Sequence, residues 1–147
     1  MAFKFSLAGL LRLREANERA ELQRLQAAAA RVAEARAAIE WLDATVEENR
    51  RQTQQHSASG VFGAELQFQA SLEAVYRERR AALLLELAKL EQALQKQKEI
   101  YTRARQKREI VSNLRERRLS SYRSEQSRRE QQQTDELFLL RSSRQSP

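Results

Sequence analysis

Helix-breaking residues are nearly absent from this chain, and their absence limits the folds that it can adopt. Its 147 residues include three Gly and one Pro, and that Pro is the last residue. The one convincing cluster of helix breakers is QQHSASGVFG, residues 54–63. Elsewhere Ala, Glu, Arg, Gln and Leu dominate, and these residues lose least free energy on becoming helical. The sequence therefore predicts an all-α chain of two long helices joined by a turn.

Apolar residues recur at coiled-coil spacing on both sides of this turn. Before it they form a stripe of Leu11, Leu22, Leu25, Ala29, Val32, Ile39, Leu42 and Val46, interrupted at Glu18. After it a second seam runs through Tyr76, Leu83, Leu87, Leu90, Leu94, Gln97, Tyr101, Ala104, Arg108 and Val111. Two such seams joined by a short turn pack against each other. The pattern predicts a long two-helix antiparallel coiled-coil hairpin.

The two predicted helices differ in length. We expect a single coiled-coil domain over residues 1–147, with helix 1 over about 5–54, the turn over about 55–63, helix 2 over about 64–140 and a frayed C-terminus over 141–147. At 1.5 Å per residue the helices would be about 70 Å and about 110 Å long. A turn centred near Ser59 places Phe3 opposite Arg115. The remainder of helix 2 is therefore predicted to be a C-terminal helical overhang.

Positive charge is concentrated around the start of this overhang. Residues 103–129 contain ten Lys or Arg against three Glu, a net charge of +7 that equals the net charge of the whole chain. Such a patch attracts anionic partners, whether phosphate backbones or acidic protein surfaces. A solvated helix face with ion pairs such as Glu125 to Arg129 would account for part of the charge.

Two groups of apolar residues fall outside the seams. Phe68, Leu72 and Val75, followed by Arg79, lie off the core-facing positions, which are predicted to be Leu66, Gln69, Glu73, Tyr76 and Arg80. They form either a docking stripe for another protein or, after a heptad stutter near Arg79, part of the core. The second group comprises Leu137, Phe138, Leu139 and Leu140, which lie on the overhang without an intramolecular partner.

The sequence offers no basis for catalysis. His56 is the one His, Cys is absent, and no phosphate-binding, dinucleotide-binding or nucleophile-elbow motif occurs. We expect no enzyme activity, catalytic residue, metal site, cofactor or small-molecule substrate. Specific nucleic-acid binding is also disfavoured, because recognised binding motifs are missing and Glu interrupts the arginines. No signal peptide or membrane span is expected, so the chain is predicted to be cytoplasmic.

Three segments resemble the FliJ family of the bacterial flagellar type III export apparatus. They are FKFSLAGLLRLRE at residues 3–15, YTRARQKREIVSNLRERR at 101–118 and RREQQQTDELFLLR at 128–141. The resemblance extends over the whole chain. It implies a cytoplasmic antiparallel coiled coil similar to the stalk of rotary ATP synthases, located at the flagellar base beside the inner membrane. It also implies a role in flagellum biogenesis and motility.

The resemblance further implies three partners. The open end of the hairpin would enter the hexameric export ATPase and promote its assembly and activity, the hinge-side half would face the export gate membrane protein, and export chaperones would also bind. The residues implied for gate docking are Phe68, Leu72, Val75 and Arg79. Those implied for the ATPase ring are Arg115, Arg117, Arg118, Tyr122, Arg123, Arg128 and Arg129. Independently of the resemblance, Leu137–Leu140 on the overhang are expected either to fit a binding partner or to fray.

Two other functions are compatible with the same residues. One is a structural or adaptor coiled coil that dimerises through its C-terminal overhang. The other is a binder of nucleic acid or of the ribosome surface.

Overall fold

Two helices account for nearly all of the chain. The computed structural model describes residues 2–58, 60 and 63–146. Helix α1 spans Ala8–Ser57 and helix α2 spans Gly63–Gln145. The predicted all-α helical hairpin is confirmed. The residues form two compact units: unit 1 consists of Met1–Arg19 with Arg103–Pro147, and unit 2 consists of Ala20–Thr102.

Unit 2 contains the densest part of the interhelical core. Ile39, Leu42 and Leu83 are buried together. Ala38, Tyr76 and Leu87 pack against them. Removal of these side chains from water supplies the main driving force for pairing the two helices in this unit.

The predicted seam of α2 is confirmed, whereas the stripe predicted for α1 is wrong at two positions. All ten predicted α2 positions from Tyr76 to Val111 are buried or half-buried. On α1, Leu22 and Ala29 are exposed, while Glu21 and Ala28 are half-buried in their place. Steps of three and four residues alternate through Leu25 and bring these earlier positions onto the buried face.

Polar contacts establish that the helices run antiparallel in unit 2. Asn49 Nδ2 donates to Tyr76 Oη at 3.1 Å, and Arg36 Nη2 donates to Glu91 Oε1 at 3.0 Å. Further along, Gln97 Nε2 donates to Glu21 Oε2 at 2.6 Å. The α2 residue number rises as the α1 residue number falls.

Unit 1 shows the same antiparallel order, in a register that differs from the prediction. Arg108 Nε donates to Glu18 Oε2 at 2.6 Å, and the rings of Phe3 and Tyr122 lie 5.5 Å apart between centroids. The expectation that Phe3 lies opposite Arg115 is therefore wrong by seven residues. A turn centred near Ser59 would likewise place Asn49 opposite residue 69, whereas it is bonded to Tyr76, so the same offset is already present in unit 2 and does not arise at the N-terminus. The N-terminal segment, residues 2–7, precedes α1 and is not helical, and we call it the strap.

The strap explains why α1 begins at Ala8 rather than near residue 5. Phe3, Phe5 and Leu7 are half-buried, and the residues between them are exposed. This period of two is that of an extended segment with one face packed. The backbone amide of Ala8 donates to the carbonyl of Phe5 at 3.1 Å, where the strap turns into the helix.

The turn is described in part. The hydroxyl of Ser57 donates to the carbonyl of Gln54 at 2.9 Å as α1 ends, three residues later than expected. Gly60 has φ +92°, a left-handed conformation in which a side chain would be strained. Ser59, where the turn was predicted to centre, lies outside the described residues, as do Val61 and Phe62.

Helix α2 continues to Gln145, five residues beyond its expected end at 140. No Gly or Pro lies between Gly63 and Pro147, so nothing in this part of the sequence breaks the helix. The helix thus includes most of the segment 141–147 that was expected to fray, and Pro147 lies outside the described residues. Fraying of this segment in solution stays a prediction.

Candidate partner-binding surfaces

The apolar stripe near the start of α2 is mainly exposed. Phe68 retains 65% of its accessible surface and Val75 retains 59%. Leu72 is half-buried, and Arg79 is exposed and forms no ion pair within the part of the chain that the structure describes. A stutter that moves the whole stripe into the core is therefore wrong. Exposed apolar side chains at this spacing suit a protein partner.

Of the core-facing positions predicted beside this stripe, three are half-buried and two are exposed. Gln69, Glu73 and Tyr76 are half-buried, which confirms the seam there. Leu66 is 52% exposed because it lies in the first turn of α2, where α1 is close to its end. Arg80 is also exposed, since its long side chain reaches outward to Asp43.

The Arg80 contact secures the flank of the helix pair in unit 2. Arg80 Nε donates to Asp43 Oδ1 at 2.8 Å and Arg80 Nη2 donates to Asp43 Oδ2 at 3.4 Å. This fork of hydrogen bonds, reinforced by the attraction of the carboxylate, raises the pKa of Arg80. Both groups are about half exposed, so water weakens the pair, and its main effect is to orient the two side chains.

A shallow groove borders the apolar stripe. It has a volume of about 290 Å³ and is lined by Asn49, Gln52, Thr53, His56, Glu65, Phe68 and Gln69. Phe68 contributes an aromatic surface, while most of the other lining residues are polar. An apolar anchor beside hydrogen-bonding groups is typical of protein interfaces.

The basic region of unit 1 is divided between paired and unpaired arginines. Arg108 pairs with Glu18 on α1, and Arg129 pairs with Glu125 one turn away at 2.8 Å. The hydrogen bond to Glu18 is the main reason that the pKa of Arg108 is raised. Four exposed arginines form no ion pair or hydrogen bond within residues 2–58, 60 and 63–146: Arg115, Arg117, Arg123 and Arg128.

Arg118 has partners of another kind. Its Nη1 donates to the hydroxyl of Ser6 at 2.9 Å, and its guanidinium carbon lies 5.6 Å from the centroid of the Phe5 ring. Tyr122 lies one turn further along α2, where it meets Phe3 and accepts a hydrogen bond from Gln126 Nε2 at 2.9 Å. Two of the residues implied for the ATPase ring therefore contact the chain's own N-terminus.

The C-terminal part of α2 is exposed on all sides. Every described residue from 127 to 146 is exposed, including the apolar patch. Its four members are between 57% and 70% exposed: Leu137, Phe138, Leu139 and Leu140. The overhang predicted from the sequence is thus present in unit 1, although it begins about two turns later than expected.

Two features were missed by reading the sequence. Residues 5–7 of the strap were assigned to helix 1, although the alternation of Phe3, Phe5 and Leu7 is visible in the sequence and is the period of an extended segment. Trp41 is 69% exposed, an unusual state for the largest apolar side chain. Its position outside the seam spacing could have marked it as a surface residue.

The described residues contain no cluster of three or more His, Cys, Asp or Glu side chains that could hold a metal ion. Within the same residues, no helix is both long enough and apolar enough to cross a membrane.

Comparison with known proteins decides the family. The model of the flagellar FliJ protein family matches residues 3–147, essentially the entire chain. The chain belongs to the FliJ family. No curated protein and no solved structure matches it. The FliJ family is a non-enzymatic component of flagellar protein export, so this chain works with the flagellar export machinery.

Proposed function

We propose that this FliJ-family protein is a central stalk of the flagellar export apparatus. In this proposal unit 1 contacts the hexameric export ATPase, promotes assembly of its ring and raises its activity. Unit 2 docks on the export gate membrane protein through the stripe Phe68, Leu72, Val75 and Arg79. The protein would then act in the cytoplasm, at the periphery of the inner membrane.

The observation that carries the ATPase assignment is the exposed end of α2. Consecutive residues of a helix point about 100° apart, so Arg115, Arg117, Arg123 and Arg128 face several directions. A helix that is charged on many sides and ends in an apolar patch has no single face suited to packing on a flat surface. A partner that surrounds the helix, such as the inside of a ring, can contact all of these side chains.

The gate assignment rests on the exposed stripe and the groove beside it. Phe68 and Val75 present apolar surface to solvent, and Arg79 adds an uncompensated charge. A few buried anchors of this kind carry most of the binding energy at protein interfaces. Export chaperones are additional partners in this proposal, and family membership supports them without indicating which residues they contact.

Charge reversal at the basic end tests the ATPase assignment. We expect the unmodified protein to stimulate ATP hydrolysis and ring formation by the cognate export ATPase, and Arg117→Glu with Arg123→Glu to lose most of this effect. Both arginines are exposed and unpaired, so the folded hairpin should persist. Hydrolysis rates and sedimentation of the ATPase measure the two effects.

A matched control is Arg31→Glu with Arg77→Glu in unit 2, which changes the net charge by the same amount at two other exposed positions. This variant should stimulate normally. Failure of the unmodified protein to stimulate, or equal loss in both variants, would contradict the assignment.

Phe68→Asp tests the gate assignment. Because Phe68 is largely exposed, we expect unchanged helicity and ATPase stimulation but loss of binding to the purified cytoplasmic part of the gate protein. The half-buried Leu72→Asp should act in the same direction. Leu85→Asp is the control, since Leu85 is 68% exposed and lies outside the stripe. Binding is measured by calorimetry and helicity by circular dichroism, and retained gate binding by Phe68→Asp would refute the assignment.

A further inference from the structure

We infer that the N-terminal strap is an intramolecular competitor for an acidic protein partner. The strap contacts the exposed Arg118 and the half-buried Tyr122, and a carboxylate-rich protein surface displaces it from them on binding. This inference deepens the proposed function, and it rests on that function only for the identity of the protein that supplies the carboxylates.

The strap runs along α2 and turns into α1 at Ser6 and Leu7. Phe3 contacts the Tyr122 ring, while Phe5 and Ser6 contact the Arg118 guanidinium. These contacts occupy one side of α2 where α1 has not yet begun. The strap is therefore the segment that packs against this stretch of α2 in the free chain.

The partners of Arg118 differ from those of the other arginines that bridge the two chain segments. Arg36, Arg50, Arg80 and Arg108 each pair with a carboxylate, namely Glu91, Glu73, Asp43 and Glu18 respectively. Arg118 instead meets a neutral hydroxyl and an aromatic ring. A carboxylate attracts the guanidinium by its charge and can accept two parallel hydrogen bonds from it, whereas the Ser6 hydroxyl accepts one and is neutral. An incoming carboxylate would therefore replace Ser6 as the hydrogen-bond acceptor of Arg118.

The strap is also held weakly. Phe3, Phe5 and Leu7 are each only half-buried. Among the described residues, no backbone hydrogen bond joins the strap to α2; the two that its carbonyls accept come from Ala8 and Leu11 of α1. Segments with few buried contacts and few backbone hydrogen bonds open at low free-energy cost. The free energy of binding a partner is thus sufficient to release the strap.

The surroundings of Arg118 favour a protein over a nucleic acid. Arg115, Arg117 and Arg123 add unpaired positive charge, which suits any anion. Glu116 and Glu125 are interspersed among them, however, and would repel a continuous phosphate backbone. Release of the strap also uncovers the aromatic side chains of Phe3 and Tyr122, and aromatic anchors combined with arginine are typical of protein interfaces.

The test weakens the strap and measures the affinity of the full-length chain for poly-L-glutamate, which serves as the acidic probe. If the strap competes with the probe, the apparent dissociation constant includes the cost of displacing it. Phe3→Ala with Phe5→Ala should therefore bind the probe about five-fold more tightly than the parent. Addition of Arg118→Gln to this variant should abolish the gain. The control Trp41→Ala with Leu85→Ala, which removes two exposed apolar side chains of unit 2 that lie outside the proposed binding surfaces, should leave the affinity unchanged.

Ser6→Ala is a milder variant that removes only the hydroxyl bonded to Arg118, and it should produce a smaller gain in the same direction. Circular dichroism verifies that helicity is retained. Unchanged or weaker binding of the probe by both strap variants would overturn the inference. A gain for duplex DNA of matched charge without a gain for poly-L-glutamate would also overturn it, because the competitor would then mimic a phosphate backbone.

The export ATPase separates this inference from the proposed function. With the ATPase, the strap variants should reach half-maximal stimulation at a lower concentration than the parent. If the ATPase is not stimulated by any form while the poly-L-glutamate response appears, the competitor role stands and the proposed function fails. If the parent stimulates the ATPase normally and the strap variants change neither the stimulation nor the binding of poly-L-glutamate, the proposed function stands and the competitor role fails.

Discussion

The core of unit 2 and the overhang of unit 1 contain the same kinds of residue, but the first is packed against α1 and the second is exposed to solvent. Leu83 faces α1 and keeps 7% of its accessible surface, whereas Leu137 keeps 57%. Arg80 pairs with Asp43 across the helices, whereas Arg128 is exposed and unpaired. The difference is the presence or absence of a second helix opposite. One region therefore stabilises the fold, and the other remains available for a partner.

The largest expected effect is a difference in stability between matched substitutions in the two regions. Leu83→Ala should lower the free energy of unfolding by about 2–5 kcal/mol, because it leaves a cavity in the core of unit 2. Leu137→Ala should change it by less than about 0.5 kcal/mol, since the side chain is already in water. Urea unfolding followed by circular dichroism compares them. Equal losses would mean that the overhang is covered in the free chain.

A smaller effect should distinguish two ion pairs by their exposure. Glu18 and Arg108 keep 18% and 27% of their side-chain surface, while Arg36 and Glu91 keep 61% and 46%. A double-mutant cycle to Ala should give a coupling of about 1 kcal/mol or more for Glu18 with Arg108. The coupling between Arg36 and Glu91 should be a few tenths of a kcal/mol and should decrease with added salt. A larger coupling for the exposed pair would contradict this ranking.

The fold was largely predictable because spacing and helix breakers act locally. The seam of α2 follows from apolar residues three and four apart, and the structure buries or half-buries every predicted position. The pairing register was not predictable in the same way, because the seam repeats every seven residues and an offset of seven leaves the same positions buried. The start of α1 was also missed, since the non-helical strap is favoured by tertiary packing of Phe3 and Phe5 rather than by local helix propensity.

The candidate surfaces could be located from the sequence but not fully described. Exposure of Phe68 and Val75 was one of two interpretations, and the packing of Gln69, Glu73 and Tyr76 decided between them. The arginine cluster appeared uniform in the sequence. Contacts with Ser6, Phe5 and Glu125 separate Arg118 and Arg129 from the unpaired members, and such contacts depend on distances that letters do not contain.

Site-specific photo-cross-linking at Phe138 tests most directly whether the uncovered end of α2 meets the export ATPase. A benzophenone amino acid placed there should cross-link to residues that line the centre of the ATPase ring, whereas the same group at Trp41 should not. Both side chains are about 70% exposed, so the comparison isolates location from accessibility. Cross-links from Phe138 to a second copy of this chain, with none to the ATPase, would contradict the account.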